Sequence, residues 1–167
     1  MREMLFSIVS LICRLFPIRR NKVFFLSYYG NQYGCNPKYL SEYLSKTCSE
    51  YDIVWGFVHP EQYLIDGIRK VKYHSIKYFY ELATSHFFIT NYRTTEDYKK
   101  RKGQIYIQTW HSSLRLKMIE KDAEQTLPVN YVEMAKSDSG KIEIYFCQDV
   151  ISVLKSLDVH FGMKVLF

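Results

Sequence analysis

The sequence predicts an α/β fold built on a parallel sheet, and three observations point there. Continuous apolar runs such as VFFL at 23–26 and HFFIT at 86–90 have the character of strands buried on both faces. Between them lie stretches whose apolar residues recur at helical spacing, as Tyr39, Leu40, Tyr43 and Leu44 do. Strand and helix signals alternate along the whole chain, which favours right-handed βαβ crossovers over an all-β or a bundle architecture.

With 167 residues the chain is one domain's worth, and 47% hydrophobic with 17% aromatic residues argues against disorder. A net charge of +6 and an isoelectric point near 9.0 favour an anionic partner: a phosphate-rich substrate, anionic lipid or nucleic acid. Nucleic acid ranks last, because no RRM, KH or helix-turn-helix signature accompanies the charge and the fifteen tyrosines. Cys13, Cys35, Cys48 and Cys147 stand far apart without a CxxC pair, so they read as reduced thiols, and no zinc site or cofactor is expected.

In chain order, residues 1–20 form a segment of their own. The run MLFSIVSLIC at 4–13 is far short of the 18 or more residues that cross a bilayer. Glu3 and the absence of a small-x-small site argue against a signal peptide. The reading is an amphipathic, interfacial helix with the basic flank Arg19 and Arg20, facing anionic lipid at the inner surface of the membrane; a helix packed on its own domain is the competing reading. Residues 21–167 then form the sheet domain. Its first strand is expected over 22–27. A glycine-bearing loop follows, and Asn36 before Pro37 suits the cap and first position of a helix. A helix start behind such a loop suits an anion, although an ordinary βα turn is the plainer meaning. A strand is expected at 51–58, a short helix at 61–70, a brief strand at 71–73 and a helix from Ser75 through Ala83. After the polar, basic stretch 91–103 comes a strand over 104–109 expected at the sheet's centre. A charged stretch at 114–126, a helix over 128–135, a turn at 137–140, a strand over 142–147, a helix over 149–157 and an apolar strand at 164–167 complete the chain.

The candidate site lies in QIYIQTWH, 104–111. Ile105 and Ile107 alternate with Tyr106 and Gln108 as in a strand, and the run delivers the imidazole of His111 just past the strand's carboxyl end, where open α/β sheets bind ligands. A lone histidine there is more often structural than catalytic. However, the Gln-Thr-Trp-His segment behind the basic run Lys99, Lys100, Arg101 and Lys102 resembles the signature of the CDP-glycerol glycerophosphotransferases, the teichoic acid primase and polymerase family. A second stretch, KVFFLSYYGNQYGCNPKYLSEYL at 22–44, resembles that family's opening strand, glycine-bearing loop and Asn-Pro-Lys helix start. One departure is local: the family follows its histidine with Gly-Thr-Pro-Leu-Lys, whereas Ser112, Ser113, Leu114, Arg115, Leu116 and Lys117 stand here.

The resemblance implies a Rossmann-like domain, the N-terminal, acceptor-side half of a GT-B glycosyltransferase-type fold. It implies transfer of glycerol phosphate from CDP-glycerol to a (poly)glycerol phosphate or glycan-lipid acceptor in teichoic acid synthesis, at the cytoplasmic face of the membrane. His111 would be the general base, an imidazole titrating near neutrality being suited to the task. Tyr33, Asn36, Trp110 and Ser112 would line the acceptor side, with Trp110 packing behind the histidine or serving simply as core. Arg19, Arg20, Lys99, Lys100, Arg101 and Lys102 would attract the polyanionic acceptor or the membrane, although a solvated loop is the commoner meaning of such a run. His59, His74, His86 and His160 lack ligand spacing and read as structural or surface residues. The family's Gly-x-Pro-Arg-Asn-Asp segment and donor-gripping half have no counterpart in these residues, so the expectation is the first half of an enzyme, with a separate C-terminal half as a possible partner. The alternative is an inactive module that retains acceptor or membrane binding.

Overall fold

The computed structural model describes residues 2–94, 98–110 and 125–145. The elements run α1 (Arg2–Cys13), β1 (Arg19–Leu26), α2 (Cys35–Thr47), β2 (Asp52–Phe57), β3 (Arg69–Lys72), α3 (Ile76–Thr84), β4 (Ser85–Thr90), β5 (Ile105–Gln108), α4 (Val129–Ser139) and β6 (Ile144–Tyr145). The strands form one six-stranded sheet in the order β3-β2-β1-β4-β5-β6, parallel at every pairing. This is the Rossmann-like, doubly wound order, whose direction reverses between β1 and β4. Val23 sits opposite both Ile53 and Phe87, and Ile89 opposite Ile107, so β-branched and aromatic side chains stack across the middle strands.

Successive β1 side chains point to opposite faces and so build two cores. Val23 and Phe25 join Leu40 and Leu44 of α2, Trp55 and Phe57 of β2, and Ile89. Phe24 and Leu26 join Tyr78, Phe79 and Leu82 of α3, and Cys13 of α1. Ser75 caps α3 by accepting the Tyr78 amide at 3.1 Å, as expected. Space at Gly56 is tight: a Cβ there would come within 3.0 Å of Leu26 Cδ1 and 3.2 Å of Phe24 Cζ, so those side chains would have to shift.

Helix α1 packs on α3. Phe6 meets Phe79 at a ring separation of 5.3 Å, Phe16 meets Tyr80 at 5.3 Å, and Cys13 is buried. Its other face carries Leu5, Ile8, Leu11 and Ile12, all exposed, and Leu15 is exposed in the turn that follows. Arg19 and Arg20, placed by sequence on the flank of the terminal segment, are instead the first residues of β1, with Arg19 opposite Ser85 of β4.

Other sequence expectations are corrected by local physics. No helix spans 61–70; a single 3₁₀ turn at Pro60–Gln62 is followed by Gly67 at φ +70°, and Arg69 and Lys70 already belong to β3. Helix α4 runs on to Ser139 through the predicted turn, because Arg93 binds the Ala135 carbonyl and Ser139 Oγ while the fully buried Asp138 accepts from Thr94. Strand β5 is interior, flanked by β4 and β6, but the two middle strands are β1 and β4. The helix expected over 149–157 and the strand over 164–167 lie outside the described residues, as does most of 114–126.

A buried ion-pair network ties β1, β2, β3 and α3 together. Lys22, with no exposed surface, donates to Glu81 Oε2 at 2.6 Å and Thr84 Oγ1 at 2.8 Å. Arg69 donates to Glu81 Oε1 at 2.6 Å and clamps both oxygens of Asp52 at 2.7 Å. Burial pushes the Lys22 pKa below its ordinary value. At Glu81 burial pushes the other way, but hydrogen bonds from Arg69 and Lys22 outweigh it and hold the carboxyl below its usual range.

Candidate functional site

The carboxyl edge of the sheet concentrates unusual backbone. Among the described residues, five other than glycine take left-handed φ, and all lie past the carboxyl ends of strands: Tyr28 (45°), Tyr29 (57°) and Cys35 (58°) after β1, His74 (57°) after β3, and Trp110 (55°) after β5. Each such residue costs about 1–3 kcal/mol, and such strain persists where surrounding structure imposes it. That structure is visible in the hydrogen bonds. The Tyr28 amide donates to Asn91 Oδ1 at 3.0 Å, joining the ends of β1 and β4 at the point where the strand order reverses. Gly30, at φ +81°, accepts from the Val58 amide at 2.8 Å, and a Cβ on it would come within 3.2 Å of that nitrogen. The first loop is thereby fastened to β2 on one side and to β4 on the other.

The same loop is fastened to the end of β5. Asn36 Nδ2 donates to the Thr109 carbonyl at 3.1 Å, and Cys35 Sγ lies 3.9 Å from the Trp110 carbonyl. Thr109 in turn gives its amide to the Thr90 carbonyl at 2.8 Å and its hydroxyl to the same oxygen at 3.2 Å. The Thr90 hydroxyl is buried with no hydrogen-bond partner among the described residues.

Beneath this edge runs a line of buried polar side chains. Gln108 is fully buried; its Nε2 donates to the Tyr92 carbonyl at 2.6 Å and to Tyr106 Oη at 3.3 Å, and its Oε1 accepts the Trp110 amide at 3.0 Å. The Tyr106 hydroxyl donates to Asp138 Oδ2 at 3.4 Å, and Arg93 lies 3.5 Å from the same oxygen. Burial raises the Asp138 pKa even though Thr94 and Arg93 oppose the shift, and burial also pushes the Tyr106 phenol up. Among the described residues no His, Cys, Asp and Glu cluster has a metal-binding arrangement.

Of the residues singled out by sequence, Asn36 and Trp110 are brought together at this edge. The role expected for Asn36 is different from the one observed. The cap position of α2 is Gly34, Asn36 lies inside the first turn, and its amide bridges to β5 rather than capping its own helix. Tyr33 turns toward α2: its ring meets Trp55 at 4.8 Å and its hydroxyl lies 3.5 Å from Ser41 Oγ and 3.4 Å from Glu42 Oε1. His111 and Ser112 lie outside the described residues. The basic residues sit at the other end of the strands. Arg19 begins β1 and pairs with Asp52 at 3.6 Å. Arg20 follows it in the strand. Arg101 precedes β5, where its guanidinium binds the carbonyls of Phe16 at 2.8 Å and Ala83 at 2.7 Å. The Lys99 carbonyl accepts from Arg14 at 3.0 Å, Lys100 pairs with Glu143, and Lys102 is exposed. Since β5 rises about 3.3 Å per residue, Gln104 and Trp110 are about 20 Å apart along it. His59 pairs with Glu61 at 3.2 Å, His86 Nδ1 lies 2.8 Å from the Gly103 carbonyl, and His74 stacks between Tyr73 and Phe79; His160 is not among the described residues. Sequence reading passed over Asn91, Gln108 and Asp138 as site-building residues. The discernible signal was a polar amide closing an apolar strand, at Asn91 after HFFIT and at Gln108 after IYI.

The model of the family described as CDP-Glycerol:Poly(glycerophosphate) glycerophosphotransferase matches residues 7–148. A teichoic acid poly(glycerol phosphate) polymerase of Bacillus spizizenii is 29% identical over 136 residues, covering 79% of this chain and 34% of the relative. A teichoic acid glycerol-phosphate transferase of Staphylococcus aureus is 30% identical over 96 residues, 56% of this chain and 24% of the relative. The chain thus spans about a third or less of the length of these relatives. Among solved structures, a histidine-to-asparagine variant of the wall teichoic acid polymerase TagF superimposes with a TM-score of 0.74 at 24% identity, over 86% of this chain and 35% of that one. The same variant soaked with CDPG gives 0.69 at 22% identity, over 84% and 37%. The family model matches continuously across both sequence motifs and nearly all of the sheet, and the chain therefore belongs to the CDP-glycerol:poly(glycerophosphate) glycerophosphotransferase family.

Proposed function

We propose that this chain is the acceptor-side half of an enzyme that transfers glycerol phosphate from CDP-glycerol to a hydroxyl of a (poly)glycerol phosphate or glycan-lipid acceptor in teichoic acid or related surface-polymer synthesis. In this reading the acceptor hydroxyl attacks the β-phosphorus. Its proton passes to the imidazole of His111, a new P–O bond forms, and the bond to CMP breaks. The residues lining the acceptor side are Asn36, Trp110 and Ser112, with Tyr33 supporting the loop from the α2 side. The donor is gripped by groups beyond these 167 residues, on a further part of the same polypeptide or on a separate chain. The observation that carries the reading is the family match over residues 7–148, which includes the segment ending in His111.

The protein works at the cytoplasmic face of the membrane, held peripherally. Among the described residues no helix is long and apolar enough to cross a membrane. The surface that meets lipid is the outward stripe Leu5, Ile8 and Ile12 of α1 with Leu15 of the turn after it, and Lys99 and Lys102 are exposed near its carboxyl end. Residues 19 and 20 begin β1, so the lipid-facing segment ends before them.

The test is complementation. The chain is combined with the donor-binding portion of a polymerase relative, and release of CMP from CDP-glycerol is followed. Replacing His111 by alanine is expected to lower the rate at least about 100-fold, the lower bound for losing a positioned general base. CMP release that persists unchanged in His111→Ala overturns the assignment.

A further inference from the structure

The motif that carries the proposed base contains a glutamine to which the chemistry assigns no part. Gln108 is completely buried at the last position of β5, and burying a primary amide is unfavourable unless both its ends are satisfied. Both are. The nitrogen donates to the Tyr92 carbonyl at 2.6 Å and to Tyr106 Oη at 3.3 Å; the oxygen accepts from the backbone amide of Trp110 at 3.0 Å. This last bond is a side chain reaching two residues ahead to its own backbone, across the residue that leaves the strand. It occurs where the chain turns into left-handed backbone at φ 55°, a conformation a bulky L-residue resists.

We propose that Gln108 is a positioning residue: its amide, braced by Tyr92 and by the Tyr106–Asp138 pair, holds Trp110 in its left-handed turn and so sets where the chain delivers His111. The proposal rests on the reading of His111 as the base. A hydrophobic residue of the same length would fill the space but leave the Trp110 amide without this acceptor, and the turn would relax toward ordinary β or α backbone. Thr109 and Asn36 fix the carbonyl side of the same turn, through the Thr90 and Thr109 carbonyls respectively. Gln108 supplies the amide side. Asp138, the penultimate residue of α4, is the far anchor: Thr94, Tyr106 and Arg93 converge on its carboxylate.

The test reads geometry rather than turnover, so it succeeds or fails independently of the catalytic assignment. Amide hydrogen exchange of the ¹⁵N-labelled chain is measured residue by residue. In the native chain the Trp110 amide should exchange about tenfold more slowly than its sequence alone dictates; exchange at the unprotected rate overturns the proposal, whatever any variant does. In Gln108→Met, which preserves length and packing, that protection should be lost while the core amides of Val23 and Phe24 keep theirs. The His111 ring resonances should move while those of His59 and His86 stay in place. Retained Trp110 protection, or unmoved His111 resonances, overturns it. If instead these results hold but His111→Ala leaves CMP release intact, it is the base assignment that falls, and Gln108 remains the residue that shapes the turn.

Discussion

At the residue scale, two kinds of position stand out: those where a side chain would crowd its neighbours and those where a buried charge cannot be left alone. Gly56 is the first kind. A Cβ there would press within 3.0 Å of Leu26, 3.2 Å of Phe24 and 3.3 Å of Tyr78, all parts of one packed core. Gly56→Ala is therefore expected to cost about 1–3 kcal/mol, seen as a fall in the thermal midpoint of about 2–12 °C. Lys22 and Glu81 are the second kind. Removing the lysine side chain leaves a buried carboxylate with Arg69 as its remaining cationic partner, so Lys22→Ala should lose about 3–5 kcal/mol, checked by chemical denaturation. The pair also fixes a pH dependence. The folded Glu81 carboxyl is held below its ordinary value, so its stabilisation is complete above the unfolded pKa of about 4.3 and is lost as pH falls through the lower folded value. The thermal midpoint of Glu81→Gln should consequently be lower than native at neutral pH, with the gap closing below pH of about 4. A gap that is independent of pH would show that the carboxylate's charge is immaterial. None of this was readable in the sequence, where Lys22 is only the first residue of the strand expected over 22–27; its burial depends on Glu81 and Thr84, 59 and 62 positions away.

At the element scale, what the sequence revealed and what it hid divide along the range of the forces. The strands around VFFL, YDIVWGF and HFFIT, and the helix capped by Ser75, are dictated by local pattern and appear within a residue or two of expectation at their start or end. The errors arise where a tertiary partner decides. Asn36 has the chemistry of a helix cap, but a carbonyl of β5 captures its amide. Ser137 to Gly140 has turn composition, yet Arg93 and Thr94 reach α4 from beyond β4 and hold its last turn. Helix α1 is the element with two faces to satisfy. Phe6, Val9 and Cys13 recur at helical spacing and pack on α3, while Leu5, Ile8 and Ile12 face outward with the same spacing and Leu15 is exposed in the turn after the helix. Truncation is a poor test of the outward face, because residues 19 and 20 belong to β1 and loss of the inward face would expose the α3 core. Replacing Leu5, Ile8, Ile12 and Leu15 together by glutamine leaves the inward face alone. The substituted chain should remain folded by circular dichroism and lose co-sedimentation with anionic phospholipid vesicles. Undiminished sedimentation would remove α1 from the membrane contact.

At the scale of the whole molecule, the two ends of the sheet have different characters. Backbone strain, the Asn36–Thr109 bridge and the Gln108 clamp gather at the carboxyl edge; the basic run and its bonds to the carbonyls of Phe16 and Ala83 gather at the amino edge. Helix α1, about 18 Å long, runs along one flank from Phe6 beside His74, just past β3, to Arg14 beside Lys99. A lipid surface against its outward stripe would lie alongside the sheet, with the carboxyl edge at its border rather than turned away. The family resemblance made the reaction legible, and the strand ending in Gln-Thr-Trp-His made the edge legible. In the proposed reaction, the groups that grip the donor are supplied from outside the described sheet. In-line transfer needs the alcohol and the phosphorus held in a near-attack geometry, which supplies roughly 7–11 kcal/mol of the lowered barrier, and it needs groups that stabilise the charge on the transferring phosphoryl. Of the described cations, Arg93 is engaged with Asp138, Arg69 with Glu81 and Asp52, and Arg101 with backbone carbonyls about 20 Å from Trp110, while Lys38, near the start of α2, pairs with Glu42 at 3.9 Å. Residues 1–167 expressed alone are therefore expected to release no CMP from CDP-glycerol above the uncatalysed rate, even with acceptor present. Adding the donor-binding portion of a relative should restore release only if the two surfaces dock. CMP release by residues 1–167 alone that disappears in His111→Ala would refute this prediction and make the sheet domain a complete enzyme.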